Sequence, residues 1–430
     1  MLDRLFALRA RGSSVGTELL AGLTTFLTMA YIIIVNPAIL AEAGLPHGAA
    51  FVATCLAAAL GSLLMGLIAN YPIALAPGMG LNAYFTYTVV LGQGHPWPVA
   101  LGAVFLSGVV FLILVATPAR EAIIAAIPRG LKLAISAGIG LFLGLIALKN
   151  AGIVVASPAT LVTLGPLHRP EPLLAVAGLL LMAGLEARRV PGAILIGILA
   201  TAAAGMALGV SPFGGLVAAP PALAPTWLAM DVGGAFDLGL ATIVFAFLFV
   251  VLFDNVGTLV GVTHRSGLAD AEGRVPGVGR VLVADALAVA GGAMLGTSPT
   301  TSYIESAAGI RAGGRTGLTA LTVAALFLLA LLFSPLAASI PPYATAPALL
   351  FVACLMAGGL SGIAWDDVTE AVPAAITALA MPLTFSIAHG IAFGLISFAA
   401  IKLLAGRGRE VSLTVWILAA AALAHALLGG

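Results

Sequence analysis

YPIALAPGMGLNAYF, residues 71–85, decides how this chain is read, together with its counterpart GTSPTTSYIESAAGI, residues 296–310. Each sets a proline (Pro77, Pro299) among small and polar residues inside an apolar region, then resumes a helix-compatible run. Proline removes a backbone donor and breaks a helix. In hydrocarbon, non-helical backbone is tolerated only where protein or a cavity covers it. The two prolines lie 222 positions apart (299 − 77), and the same shift carries Gly16, near the start of the first apolar span, to Leu238 at the start of a later one. Interrupted spans at matching places in two halves are the best sequence pointer to a transporter's central site.

Composition agrees. Of 430 residues, 61% are hydrophobic and 8% charged, and the mean hydropathy is +1.16. Soluble domains carry roughly 25% charged residues, so lipid must be the solvent for much of the surface. A net charge of +1 gives no reason to expect a nucleic-acid partner. Two cysteines, Cys55 and Cys354, are too few for a disulfide scaffold or a metal site and read as small core residues. Asp3, Arg4, Arg9 and Arg11 precede an apolar segment, Leu19–Leu40, that exceeds the roughly 7–15 residues of a signal-peptide core. It reads as the first transmembrane span, with the N-terminus on the cytoplasmic side.

Apolar runs place spans at 17–40, 48–69, 73–92, 97–117, 130–148, 171–187 and 191–210, and again at 237–262, 281–296, 299–313, 316–338, 344–361, 370–386 and 388–405. Seven is odd, so the two halves insert with opposite orientation. Arg120, Arg129, Lys132, Arg188, Arg189, Arg265, Arg274, Arg280, Arg311, Arg315, Lys402, Arg407 and Arg409 then all fall in cytoplasmic loops, as the positive-inside rule requires. Lys149 and Arg169 are the exceptions. The stretch 211–236 reads as an external linker, and 411–428 as either a further span or a surface helix.

A few polar side chains stand inside these spans. Asp254, in FLFVVLFDNVGTLVGVT, costs roughly 2.5–3.5 kcal/mol at such depth. Thr258 lies one helical turn on and shares its face. Glu305 follows Pro299, with Thr301 one turn earlier on the same face if the run is helical. Both acids are functional candidates by default, though each also has a structural reading: a bond to a neighbouring helix for Asp254, a cap on freed backbone for Glu305. Asn82 is nearly the repeat partner of Glu305, and its amide, both donor and acceptor, suits a heterocyclic base or loose backbone equally. Gly78 and Gly80 would let backbone approach a ligand. Tyr31 sits one residue before the repeat image of Asp254 (254 − 222 = 32), placed to stack on a planar ring or to pack in the core; Phe85 is a weaker candidate of the same kind. Asp285 reads as part of a structural ion pair. Asp366, Asp367 and Glu370 read as a solvated helix start, His389 as an interfacial side chain, and Glu18 as a cap on the first span. No G-x-S-x-G, H-E-x-x-H, P-loop or C-x-x-C motif is present, so no catalytic residue, cofactor or metal is expected, and transport must run on a gradient.

GTELLAGLTTFLTMAYIIIVNPAIL, APGMGLNAYF, FDNVGTLVGVT, GTSPTTSYIESAAGI and DDVTEAVPAAITALAMPLTFSIAHGIAFGLI occur in order along nearly the whole chain. They closely resemble the AzgA-like hypoxanthine/adenine/guanine permeases, a branch of the nucleobase–cation symporter-2 superfamily. The resemblance implies an all-α polytopic membrane protein of UraA-like fold. It has fourteen transmembrane spans in two inverted repeats of seven, with a short strand and half-helix in spans 3 and 10. It implies a core domain (1–128 and 237–340), a gate domain (129–210 and 341–430) and the linker 211–236, in a homodimer that moves as an elevator. Asp254 and Glu305 take the positions of the two acidic substrate-binding residues. Asp254 stands where the uracil permease has Glu, which leaves room for a purine. Thr258 and Asn82 match polar residues of the motifs. The implied partners are a purine nucleobase and a proton, with Asp254 or Glu305 as the proton carrier, in a bacterial inner membrane. Rival readings are a carrier of xanthine, uracil or an anion on the same fold, and a non-transporting membrane sensor. Two acids at the site argue against an anion.

Overall fold

A computed structural model describes residues 2–117, 128–236, 243–252, 255, 258–259 and 276–428. Asp254 lies outside the described residues. In chain order the elements are α1 (Val15–Met29), α2 (Ile32–Glu42), α3 (His47–Leu64), β1 (Leu75–Pro77), α4 (Met79–Ala83), α5 (Trp97–Val115), α6 (Arg129–Asn150), β2 (Val154–Ser157), β3 (Leu161–Leu164), α7 (Pro170–Ala187), α8 (Ala193–Ala207), α9 (Val278–Leu295), β4 (Thr300–Ser302), α10 (Ser306–Arg311), α11 (Gly317–Ala330), α12 (Pro342–Ala357), α13 (Val368–Thr384), α14 (Ile387–Leu404) and α15 (Leu413–Leu428). Helix α3 continues through a π-helical turn, Met65–Ala69, and α4 through a longer one, Tyr84–Gly92. Among the described residues, nine helical stretches are long and apolar enough to cross a membrane, with four shorter apolar helices beside them. The chain is therefore an integral membrane protein.

It divides into two compact units, one of Met1–Ala116 with Pro166–Ala348, the other of Thr117–Gly165 with Leu349–Gly430. In the first unit the two interrupted spans meet. Strand β1 pairs antiparallel with β4, Leu75 opposite Ser302, Ala76 opposite Thr301 and Pro77 opposite Thr300, all six buried. Antiparallel pairing is what two segments related by an inverted repeat give when they meet. The short strand and half-helix implied for the span after Pro299 are both present: Thr301 is a strand residue, so it does not share a helical face with Glu305, and the helix that follows, α10, has only six residues. The reason is local. Three consecutive hydroxyl residues follow a proline, and β1 offers them a backbone partner.

Close helix approach in this unit rests on small residues. A methyl group at Gly317 would overlap the carbonyl oxygen of Gly66, and one at Gly309 would overlap Thr25. The stretch 211–236 carries little regular structure but is tied down: Leu228 N–H donates to Met294 O (2.8 Å) and Asp231 N–H to Pro98 O (2.8 Å).

Glu18 does not cap its own helix. Ser14 does that, accepting from Thr17 N–H. The fully buried Glu18 carboxylate instead accepts from Arg315 N–H (3.0 Å), Thr316 N–H (3.2 Å) and the Thr319 hydroxyl, binding the start of α11 to α1. The charge meets the unpaired donors that every helix start exposes. Asn70, left-handed at φ 55°, completes the junction by accepting from Gly317 N–H (2.7 Å) and donating to Phe6 O (3.0 Å).

In the second unit α13 packs on α6 and α14. Asp367 caps α13 through Thr369 N–H (2.9 Å) and pairs with Arg407 (2.8 Å), which also holds Glu410 (2.7 Å). The buried Lys402 bonds Glu370 (2.9 Å) and Glu410 (2.8 Å). The expected helix start is there, with Asp367 and Glu370 tied into an ionic network. Cys55 is buried as expected, whereas Cys354 is exposed.

Glu18→Ala leaves buried N–H groups without an acceptor and lowers the unfolding free energy of the detergent-solubilised protein by about 1–3 kcal/mol, read as a drop in Tm. In the ionic network, hydrogen bonds from Thr369 and then Arg407 hold the Asp367 carboxyl well below the usual range, and Arg407 followed by Lys402 brings Glu410 down to about 2. Carboxyls with folded pKa values below their unfolded ones stabilise fully above the ordinary value near about 4 and lose that contribution as pH falls towards the folded values. The Tm difference between wild type and Arg407→Ala is thus present at pH 7 and shrinks below about pH 4.

Candidate functional site

Two three-residue strands in an apolar interior need every backbone group matched. The chain supplies the partners from several elements. Gly78 N–H donates to Pro299 O (3.0 Å) and Tyr303 N–H to Ala74 O (3.0 Å), extending the ladder at both ends. Ala74 N–H donates to Ser306 Oγ (3.0 Å) and Leu75 N–H to Ser62 Oγ (3.0 Å), the first from α10 and the second from α3. Ser302 N–H donates to Asn255 Oδ1 (2.9 Å), and its hydroxyl to Asp285 Oδ1 (2.8 Å) on α9. Tyr303 Oη donates to Pro77 O (2.5 Å), across the break that proline makes.

The strand pair fixes where the polar side chains fall. Glu305, at the start of α10, is partly buried. Tyr31, buried at the α1–α2 junction, donates its hydroxyl to Glu305 Oε1 at 2.7 Å. So Tyr31 meets the acid through its polar tip. Asn82, fully buried on α4, donates from Nδ2 to Asn36 Oδ1 (3.0 Å). Asn36 on α2 in turn bonds Thr54, Thr297 and Ser298. Thr301 faces the other break: a methyl at Gly78 would stand 2.9 Å from its Oγ1. Gly78 therefore admits a threonine of the partner strand. Thr258 is buried in a helical stretch. Phe85 is fully buried, and Tyr84 packs edge-on against Phe247 at 4.9 Å between centroids, so these aromatics are core. Asp285 is a strand-holding carboxylate. His389 is exposed and stacks on Phe393 (6.2 Å).

The structure brings together Tyr31 with Glu305, and links Asn82 through Asn36 to the residues before β4. Sequence reasoning missed Asn36, Ser62, Asn255, Tyr303 and Ser306. Asn36 carried a readable signal, an amide in the apolar run IIIVNPAIL. The serines carried none, because a small hydroxyl inside a span is usually a helix-packing residue.

The arrangement offers a carboxylate, a phenol and an amide near a backbone crossing between two broken spans. Interrupted spans of this kind are the feature that marks the central site of a transporter. The chain belongs to the Permease family, whose model (Xan_ur_permease) matches residues 16–393. It is 48% identical to the adenine permease AdeP of Escherichia coli (strain K12), over 97% of this chain and 94% of that protein. It is 46% identical to the guanine/hypoxanthine permease PbuO of Bacillus subtilis (strain 168), over 95% and 96%. Among solved structures, the transmembrane domain of the cyanobacterial bicarbonate transporter BicA superposes with a TM-score of 0.64 at 17% identity, covering 89% of this chain and 97% of that one. At that identity the likeness is one of fold.

Ser306→Ala removes the acceptor of a buried strand N–H. The expected loss is about 1–3 kcal/mol of stability, seen as a lower Tm of the purified protein; an unchanged Tm would mean that the Ala74 N–H finds another acceptor.

Proposed function

We propose that this permease imports purine nucleobases (adenine, hypoxanthine and guanine) by proton symport. The observation that carries the reading is the Tyr31–Glu305 pair at the end of β4, in a chain nearly half identical to adenine and guanine/hypoxanthine permeases over almost its full length. A purine carries N–H groups and acceptors on a flat apolar ring. Glu305 and Asp254 accept from its N–H edges, and Asn82, Thr258 and Thr301 supply further polar contacts. One carboxylate takes a proton with the substrate. A neutral loaded site crosses the low-dielectric interior at far smaller cost than a charged one.

In this account residues 1–128 and 237–340 form a core that carries the substrate past a gate of 129–210 and 341–430, in a homodimer with fourteen spans per chain. The excess of basic residues in alternate loops supports an N-terminus on the cytoplasmic side, in a bacterial inner membrane by likeness to the bacterial permeases.

The test is uptake of radiolabelled adenine, hypoxanthine, guanine, xanthine and uracil into proteoliposomes, with and without an imposed proton gradient. Purines accumulate, and the gradient stimulates them. Removing a charged hydrogen-bonding partner costs about 1.5–3 kcal/mol, so Asp254→Ala and Glu305→Ala each weaken apparent affinity about 10–100-fold. Gradient-driven accumulation that survives intact in Glu305→Gln would leave Asp254 as the proton carrier. Uptake of none of the bases by folded protein would refute the reading.

A further inference from the structure

Resting on the nucleobase reading, we propose that Thr54 and Asn36 set the hydrogen-bonding polarity of the site, so that Asn82 presents an acceptor and selects a heterocyclic N–H. The two ends of an amide are nearly alike in shape, so only the network around it can decide which end points where. Here the network starts from a group with no freedom. The Ala50 carbonyl can only accept, and the Thr54 hydroxyl donates its single hydrogen to it at 2.6 Å. Thr54 Oγ1 can then only accept from Asn36, which lies 2.8 Å away and so turns its Nδ2 towards it. The second hydrogen of that Nδ2 reaches Thr297 Oγ1 at 2.9 Å.

With its nitrogen committed, Asn36 turns Oδ1 the other way. That oxygen accepts from Asn82 Nδ2 (3.0 Å) and Ser298 Oγ (3.2 Å), so the Asn36 amide uses both hydrogens and both lone pairs. Asn82 is left with its Oδ1 outside the relay. That atom is buried and has no hydrogen-bond partner among the described residues. Asn36, Thr54, Asn82, Thr297 and Ser298 are all fully buried, so water does not blur the direction of the chain. A buried acceptor without a partner favours a ligand that brings a donor and disfavours one that brings a carbonyl or a bare ring nitrogen. Had the relay run the other way, the site would offer an N–H and the preference would reverse. Thr54 and Asn36 are positioning residues in this scheme; Asn82 is the group that touches the ligand.

The experiment measures binding to purified protein of adenine and of analogues that lack one kind of N–H: purine, without the amino group, and 7-methyladenine and 9-methyladenine, both without the ring N–H. In wild type, at least one analogue binds about 100-fold more weakly than adenine because it leaves the Asn82 acceptor unmatched, and this is the penalty followed in the variants. In Thr54→Val the Asn36 amide can reverse, and that penalty shrinks at least about ten-fold while adenine still binds. Thr54→Ser keeps the hydroxyl and restores the wild-type penalty. Asn82→Ala abolishes it. A penalty that is the same in Thr54→Val and Asn82→Ala as in wild type is steric, and overturns the proposal while leaving nucleobase binding intact. Equal binding of all the analogues to wild type overturns it too. Failure of the wild type to bind any base removes the functional reading, and the proposal with it.

Discussion

The structure depends on one short backbone crossing, the pairing of Leu75–Pro77 with Thr300–Ser302. Breaking two spans inside a membrane exposes peptide groups that lipid cannot satisfy. Here each break is the other's solution, and the side chains of Ser62, Ser306, Asn255 and Tyr303 take up what the ladder leaves over. Everything placed at the site is placed relative to this crossing. Pro77 and Pro299 end the strands' partnership with helix, Glu305 opens the helix after β4, and Asn82 lies in the helix after β1.

The same crossing explains why the surroundings are small and polar. Hydroxyl-bearing side chains must come close enough to bond a backbone, and glycines must let the helices carrying them approach. Gly78 beside Thr301, Gly66 against Gly317 and Gly309 against Thr25 are the visible cases. Glu18 does comparable work at the edge of the same unit. A full carboxylate is buried there because it meets three donors at the start of α11, which compensates its desolvation.

Much of this was legible beforehand. Length, composition and two prolines at a fixed offset gave a membrane protein with two interrupted spans, because those features follow from the cost of peptide groups in lipid. Asn82 and Glu305 were legible as polar groups in costly positions, and Tyr31 by its place in the repeat. Three things were not. Spacing alone does not say that Thr301 leaves the face of Glu305: the family resemblance implies the strand there, and its partner strand elsewhere in the chain outweighs local periodicity. Glu18 looked like the cap of its own helix, since nothing local announces a bond to residues about 300 positions away. The role of Asn36, as distinct from its costly place in an apolar run, depends on Thr54, Thr297 and Ser298, which only the fold assembles.

The most direct test of the central claim, that the β1–β4 crossing and its polar side chains form the substrate site, is a cryo-EM or crystal structure of the protein with adenine bound. The base is expected within hydrogen-bonding distance of Glu305, in reach of the Asn82 amide, beside the paired strands. A base seated elsewhere, away from both breaks, would contradict it.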